Sequence, residues 1–280
     1  MHIKILSDST CDLPKELLEK HNITLVPLTV VKNDQSFKDG VDITPADIFA
    51  HVAAGGALCS TSAGSVGEYA DIFEQHAPNY DAVIHISLGS GFSSSYQNAC
   101  VAASDFDNVY CVDSMNLSTG QGLVVLKAAA MAESGMDVQT VLSELNTLIP
   151  KVEASFLVDK LDYLAKGGRC SSAAALGANL LNLKPCVEVK DGKMTVVKKY
   201  RGNYAKCLAS YVKERVSGRE DIDRETLFVT RTVVSEDCAN AVQEALASCG
   251  SFERVFNTEA GCTISCHCGP GTLGVLFVKK

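Results

Sequence analysis

Through its first half the chain alternates short apolar runs with segments of helical period, and the joints between them are rich in hydroxyls and carboxylates. The apolar run at residues 3–7 predicts a strand leading into Ser7-Asp8-Ser9-Thr10-Cys11-Asp12. A helix follows, with Asp12 as N-cap and Pro14 in its first turn. Ile23 to Val31 predicts the second strand. This completes a βαβ unit whose loop lies at the carboxyl edge of a sheet, where open α/β folds place ligands. Thr44-Pro45 predicts a capped helix start, and Thr61 and Ser62 fall at the expected N-terminus of a helix carrying Tyr69, Ile72 and Phe73. Ala82 to Ser87 predicts a buried strand running into Leu88-Gly89-Ser90-Gly91-Phe92-Ser93-Ser94-Ser95, with a helix at 96–103 behind it. A strand at 109–113 and helices at 120–133 and 138–149 follow, and Pro150 punctuates the pattern.

Beyond Pro150 the character changes. Ala154 to Val158 predicts a strand, and Leu161 and Leu164 mark a short helix stopped by Gly167-Gly168. Ser171 and Ser172 are the expected caps of a second helix, with Ala173, Leu176, Leu180 and Leu183 at helical spacing and Lys184-Pro185 ending it. Asp191-Gly192 between two alternating segments predicts a hairpin. A helix at 204–216, a strand at 227–230, a helix at 236–248 and strands at 252–256 and 274–278 complete the chain. The resulting fold class is α/β in two domains: a Rossmann-like parallel-sheet domain over 1–152 and an α+β domain with a mixed or antiparallel sheet over 153–280.

Composition narrows the function. The chain is 46% hydrophobic with no Trp and 6% aromatics, so its core is largely aliphatic. A net charge of -8 without a basic tract argues against nucleic acid and against an electrostatically held membrane protein. Its most apolar run, 123–132, is interrupted by Lys127 and too short to span a bilayer, and the chain opens directly on a strand; a cytoplasmic protein is expected. Most of the twelve cysteines sit singly in apolar runs, as small buried hydrophobes do in a reducing compartment.

Candidate chemistry concentrates in three places. The hydroxyls of Thr61 and Ser62 and of the Ser93-Ser94-Ser95 loop either cap helices or, with free backbone N–H groups behind them, bind an anion. Arg169 sits at a glycine hinge between two apolar helices, as a solvated C-cap charge or as a fixed cation beside a greasy groove, suited to an amphiphilic anion. Cys262, Cys266, His267 and Cys268 invite a zinc reading. On a strand end adjacent residues alternate sides, however, and the chain holds no second C-x-x-C pair, so the segment reads better as a strand end and a Gly-Pro-Gly turn, or as His267 held at a site mouth. A hydrolase or phosphotransferase using Asp8, Asp113 and His267 is the enzymatic alternative; a zinc or thiol protein is the third. No Walker A lysine and no nucleotide glycine fingerprint is present.

Taken in order, these segments resemble the DegV family of bacterial fatty-acid-binding proteins, some of which are the acyl-carrying subunit of a fatty acid kinase. The resemblance runs over almost the whole chain: Ser7-Asp8-Ser9, Thr61-Ser62, Ser93-Ser94-Ser95-Tyr96-Gln97 where the family has S-G-T-Y-Q, Val112-Asp113-Ser114, Leu161-Asp162-Tyr163-Leu164 through Arg169, Leu183-Lys184-Pro185, and His267-Cys268-Gly269-Pro270-Gly271. It implies a lipid-binding protein, not an enzyme by itself, that needs no cofactor and holds one long-chain fatty acid between two domains. It implies that Thr61, Ser62, Ser93, Ser94 and His267 hold the carboxylate. Arg169 falls in the head-group region facing a partner kinase that supplies the ATP site. Leu176, Leu180 and Leu183 are candidate walls of the acyl tunnel, or plain core. Ser94 replaces the family's glycine, which is costly if that position needs a positive φ.

Overall fold

The computed structural model describes residues 1–175 and 183–280. The first half runs β1 (Ile3–Asp8), α1 (Lys15–Lys20), β2 (Thr24–Val26), β3 (Thr29–Lys32), β4 (Gln35–Lys38), α2 (Pro45–Ala53), β5 (Ser60–Ser62), α3 (Val66–His76), β6 (Ala82–Ser87), α4 (Ser95–Ala103), β7 (Val109–Asp113), α5 (Ser118–Glu133) and α6 (Val138–Leu148). The second runs β8 (Val152–Leu157), α7 (Asp162–Gly167), α8 (Ser171–Ala174), β9 (Leu183–Lys190), β10 (Lys193–Arg201), α9 (Tyr204–Val216), β11 (Ile222–Arg231), α10 (Glu236–Ala247), β12 (Arg254–Glu259), α11 (Cys262–Cys268) and β13 (Leu273–Lys279).

The fold is α/β. A parallel sheet in the order β2-β1-β6-β7 is built from strands buried end to end in β1 and β6, as expected where helices cover both faces. A six-stranded sheet in the order β10-β9-β8-β13-β11-β12 is antiparallel except at β11–β12. Between the sheets lies α5, packed against β1 and β6 on one side and β8, β11 and β13 on the other. It lacks a polar stripe because most of its length is buried. Its polar groups are paired inward: Gln121 donates to Ser7 Oγ at 2.9 Å and accepts from Thr10 Oγ1 at 2.8 Å.

Four local expectations are corrected. The run Ile23–Val31 is two strands, because Pro27 has no N–H for a ladder and Leu28 N donates to Ser9 Oγ at 3.2 Å. The second piece, β3, joins β4 and β5 in a separate antiparallel sheet. Asp12 does not cap α1. It adopts φ 50°, and its carboxylate accepts from Gly261 N at 2.9 Å and Ser118 Oγ at 2.6 Å. The described part of the helix behind Arg169 is α8, entered from Cys170 and not capped by Ser171 or Ser172; Ser172 Oγ instead accepts from Val196 N of β10 at 2.9 Å. Leu183, Lys184 and Pro185 belong to β9, paired with Arg201, Tyr200 and Lys199, and not to a helix end. Leu176 and Leu180 lie outside the described residues.

The β9–β10 hairpin turns at Asp191 (φ 50°) and Gly192 (φ 68°), the two positive values that Asp-Gly supplies in a two-residue hairpin. Its tip rests on the loop after β6. A Cβ at Gly91 would stand 2.1 Å from the Gly192 carbonyl oxygen, so only glycine lets the two backbones touch. Gly91→Ala is expected to destabilise the protein by about 1–3 kcal/mol, as overpacking does. Urea denaturation measures it, and a change within about 0.5 kcal/mol, the range of an ordinary surface substitution, would contradict the contact.

Candidate functional site

Where the hairpin, the loop after β6 and α11 meet, the protein encloses a cavity of about 60 Å³. Its floor and walls are aliphatic and aromatic: Leu88, Phe92 and Leu117 come from the parallel-sheet side, Leu164, Met194 and Ile264 from the other. Leu117, Ile264 and Cys268 also border a second space of about 30 Å³, which continues beneath α11 to Ala154, Phe156 and Leu276 of the six-stranded sheet. The polar residues of the first space are Thr61, Ser62, Ser93, Arg169, Thr263 and His267.

Each of these groups is placed by local structure. Thr61 and Ser62 lie on β5, paired with Val30 and Thr29 of β3, and not at a helix N-terminus. The helix they were expected to open begins at Val66 and is capped by Ser65, with Glu68 closing the capping box. Thr61 is thereby free to meet His267: its Oγ1 and the imidazole Nε2 share a hydrogen bond of 2.7 Å across 206 positions of sequence. Ser93 also lines the cavity, its Oγ accepting from Ser95 N at 3.2 Å and lying 2.8 Å from Ser95 Oγ. Ser94 is exposed and outside the cavity lining, and its φ of -80° means the serine carries no backbone penalty. Arg169 is exposed at the mouth, just past Gly168 in the left-handed cap of α7, and donates to Gly167 O at 2.7 Å. Leu183 is half-buried in β9 and lines neither space.

His267 sits on a helix, contrary to the strand end expected from sequence. Successive helical side chains diverge by about 100°, so Cys-His-Cys does not converge on one point. Cys262 and Cys266 join Cys59, Ile43 and Ile48 in a small apolar cluster, and Cys268 faces the cavities. Burial pushes the Cys268 thiol up to about 12 and that of Cys266 further up, which keeps them neutral. Among the described residues no group of three or more His, Cys, Asp or Glu is arranged to hold a metal ion. Asp8 and Asp113 are equally committed elsewhere. Asp8 accepts from Tyr69 Oη at 2.7 Å and Leu88 N at 2.8 Å, and Asp113 accepts from Ser90 N at 3.0 Å, so they shape the loop and do not meet His267.

The orientation of α11 is set at its start. Asp39 accepts from Cys262 N at 2.9 Å and Thr263 N at 3.1 Å, and Asp12 accepts from Gly261 N. Three N-terminal amides thus find carboxylates from the far end of the chain. Burial, with the Asp39 charge adding to it, pushes Asp12 up to about 8 despite its bonds to Ser118 and Gly261. At the other end, burial and the nearby Arg169 charge lower His267 to about 4, so the imidazole is neutral at pH 7. Gly167 makes room for it, since a Cβ there would stand 2.6 Å from Nδ1.

Sequence reading had named the polar rim but missed Thr263, Phe92 and Met194. Thr263 stands four residues before His267, a spacing that signals a shared face only once the segment is known to be helical.

A family model described as "Uncharacterised protein, DegV family" matches residues 2–280. A DegV domain-containing protein of Caldanaerobacter subterraneus is 34% identical over 282 residues, covering 99% of both chains. A Thermus thermophilus DegV family protein, whose structure is described for its fatty acid binding, superposes with a TM-score of 0.89 at 31% identity, covering 100% of both chains. A stearic-acid-binding protein of Eubacterium ventriosum gives 0.85 at 28%, covering 99% of this chain and 98% of its own.

The lowered His267 value fixes a pH dependence. The unfolded imidazole takes a proton near 6.5 and the folded one only near 4, so the stability His267 confers is full above 6.5 and is lost as pH falls through that window. Comparing wild type with His267→Gln by urea denaturation, the wild type is expected to lose about 2–3 kcal/mol relative to the variant between pH 7 and pH 4.5. Asp12 titrates alike in both proteins and cancels; parallel pH profiles would refute the buried neutral imidazole.

Proposed function

The chain belongs to the DegV family, and we propose that it binds one long-chain fatty acid, with the carboxylate at Thr61, Ser62, Ser93 and His267 and the acyl chain in the apolar space beneath α11. The observation that carries this reading is the pairing of hydroxyl and imidazole donors in the first space with a second space of almost wholly apolar surface, which shares Leu117, Ile264 and Cys268 with it and reaches the six-stranded sheet. A carboxylate leaving water needs hydrogen bonds to offset its desolvation. Each buried CH₂ contributes about 0.8 kcal/mol, so the chain supplies most of the affinity and the mouth supplies orientation. In this reading residues 1–152 provide most of the head-group loops and residues 153–280 much of the tunnel, with Leu28, Leu88, Phe92 and Leu117 of the first part completing its wall.

The exposed guanidinium of Arg169 beside the buried rim supports a finer role. The protein presents the carboxylate there to a partner kinase, which brings ATP and forms the acyl phosphate. Among the described residues no helix is long and apolar enough to cross a membrane, consistent with a carrier working in the cytoplasm.

Mass spectrometry of small molecules released by denaturing freshly purified protein tests the binding. One fatty acid per chain is expected, with less retained by Thr61→Ala and by His267→Gln. A protein that is empty and fails to take up added long-chain acids would overturn the reading.

A further inference from the structure

On α11, Thr263 precedes His267 by one helical turn and lines the same cavity. It is 4% exposed, and its Oγ1 is fully buried with no hydrogen-bond partner among the described residues. Its backbone N–H is already taken by Asp39, which fixes this turn of the helix and with it the direction of the side chain. A buried hydroxyl left unpaired costs free energy that valine, of nearly the same shape, would not incur. Such a cost is characteristic of a site completed by its ligand. The neighbouring Thr61 Oγ1 is, by contrast, engaged by His267.

We propose that Thr263 is a further ligand-contacting residue, whose hydroxyl donates to the fatty acid carboxylate from one helical turn before His267, beside the Thr61–His267 pair. This rests on the fatty-acid reading above. The carboxylate has two oxygens and about four acceptor directions. One oxygen meets the Thr61–His267 pair and the other meets Thr263, so the head group is gripped from β5 and from the start of α11 at once. An ester, which has lost its charge and carries a methyl group on one oxygen, gains little from the second grip. Thr263 therefore selects free acids over their esters. The helix turn that carries it is held by Asp39, making Asp39 a positioning residue for the same contact.

The test compares wild type, Thr263→Val and Thr263→Ser, each stripped of lipid, by isothermal titration with palmitate and with methyl palmitate, alongside thermal melting of the ligand-free proteins. Thr263→Val is expected to lose about tenfold or more in palmitate affinity, the range for a hydrogen bond to a charged group. It should bind the methyl ester as wild type does and melt no lower than wild type, while Thr263→Ser keeps the acid preference. Unchanged palmitate affinity in Thr263→Val overturns the proposal. So does an equal loss for acid and ester accompanied by a lower melting temperature, which marks a packing role. Wild type that binds neither compound overturns the fatty-acid reading itself, a result distinct from both.

Discussion

The site depends on how a seven-residue helix is held at its beginning. A helix this short gains little from its own hydrogen bonds, and CTISCHC offers it weak propensity. Asp39 and Asp12 take three of its leading N–H groups in a buried setting, where an unpaired amide is costly. Both carboxylates belong to the first forty residues, whereas α11 lies near the other end of the chain. From this anchor the helix carries Thr263, Ile264, His267 and Cys268 along one side of the cavity, and the remaining walls close around it.

The neutrality of His267 follows from the same arrangement. Its ring is held between β5 and the backbone at Gly167, out of water and near a positive charge. A protonated ring there would meet Arg169 with no buried carboxylate to balance it. A neutral one can exchange a hydrogen bond with Thr61 in either tautomer. The acids that could have made the ring a general base, Asp8 and Asp113, instead hold the backbone of the loop that supplies Leu88, Phe92 and Ser93. The carboxylate chemistry of this half of the molecule is spent on loop geometry.

Much of this was legible in the sequence where local signals agree with tertiary need. The strands at Ala82–Ser87 and Val109–Asp113, the Thr44-Pro45 helix start and the Asp191-Gly192 hairpin stand where their period and turn chemistry put them. The failures share a physical cause. Thr61 and Ser62 look like caps because a helix follows, yet Ser65 holds that post and a long-range pairing with β3 makes them a strand. The Gly261–Cys268 segment looks extended because its helix is secured by carboxylates more than two hundred positions away, which no local pattern reports. Ser94 stands where the family pattern has a glycine, and its φ of -80° shows that the loop takes serine without strain, while its exposed side chain stands outside the cavity lining.

The 2.7 Å bond between Thr61 and His267 joins residues 206 positions apart, and the Asp12–Gly261 bond spans 249. Contacts that remote are among the slowest for a chain to reach, because a large loop must close before any reward is collected. The pocket therefore has no precursor in a fragment: neither a nascent chain still missing its last twenty residues nor an isolated half contains it. The pocket is a property of the finished topology, and its formation reports the arrival of the C-terminal segment more directly than does the content of helix and strand.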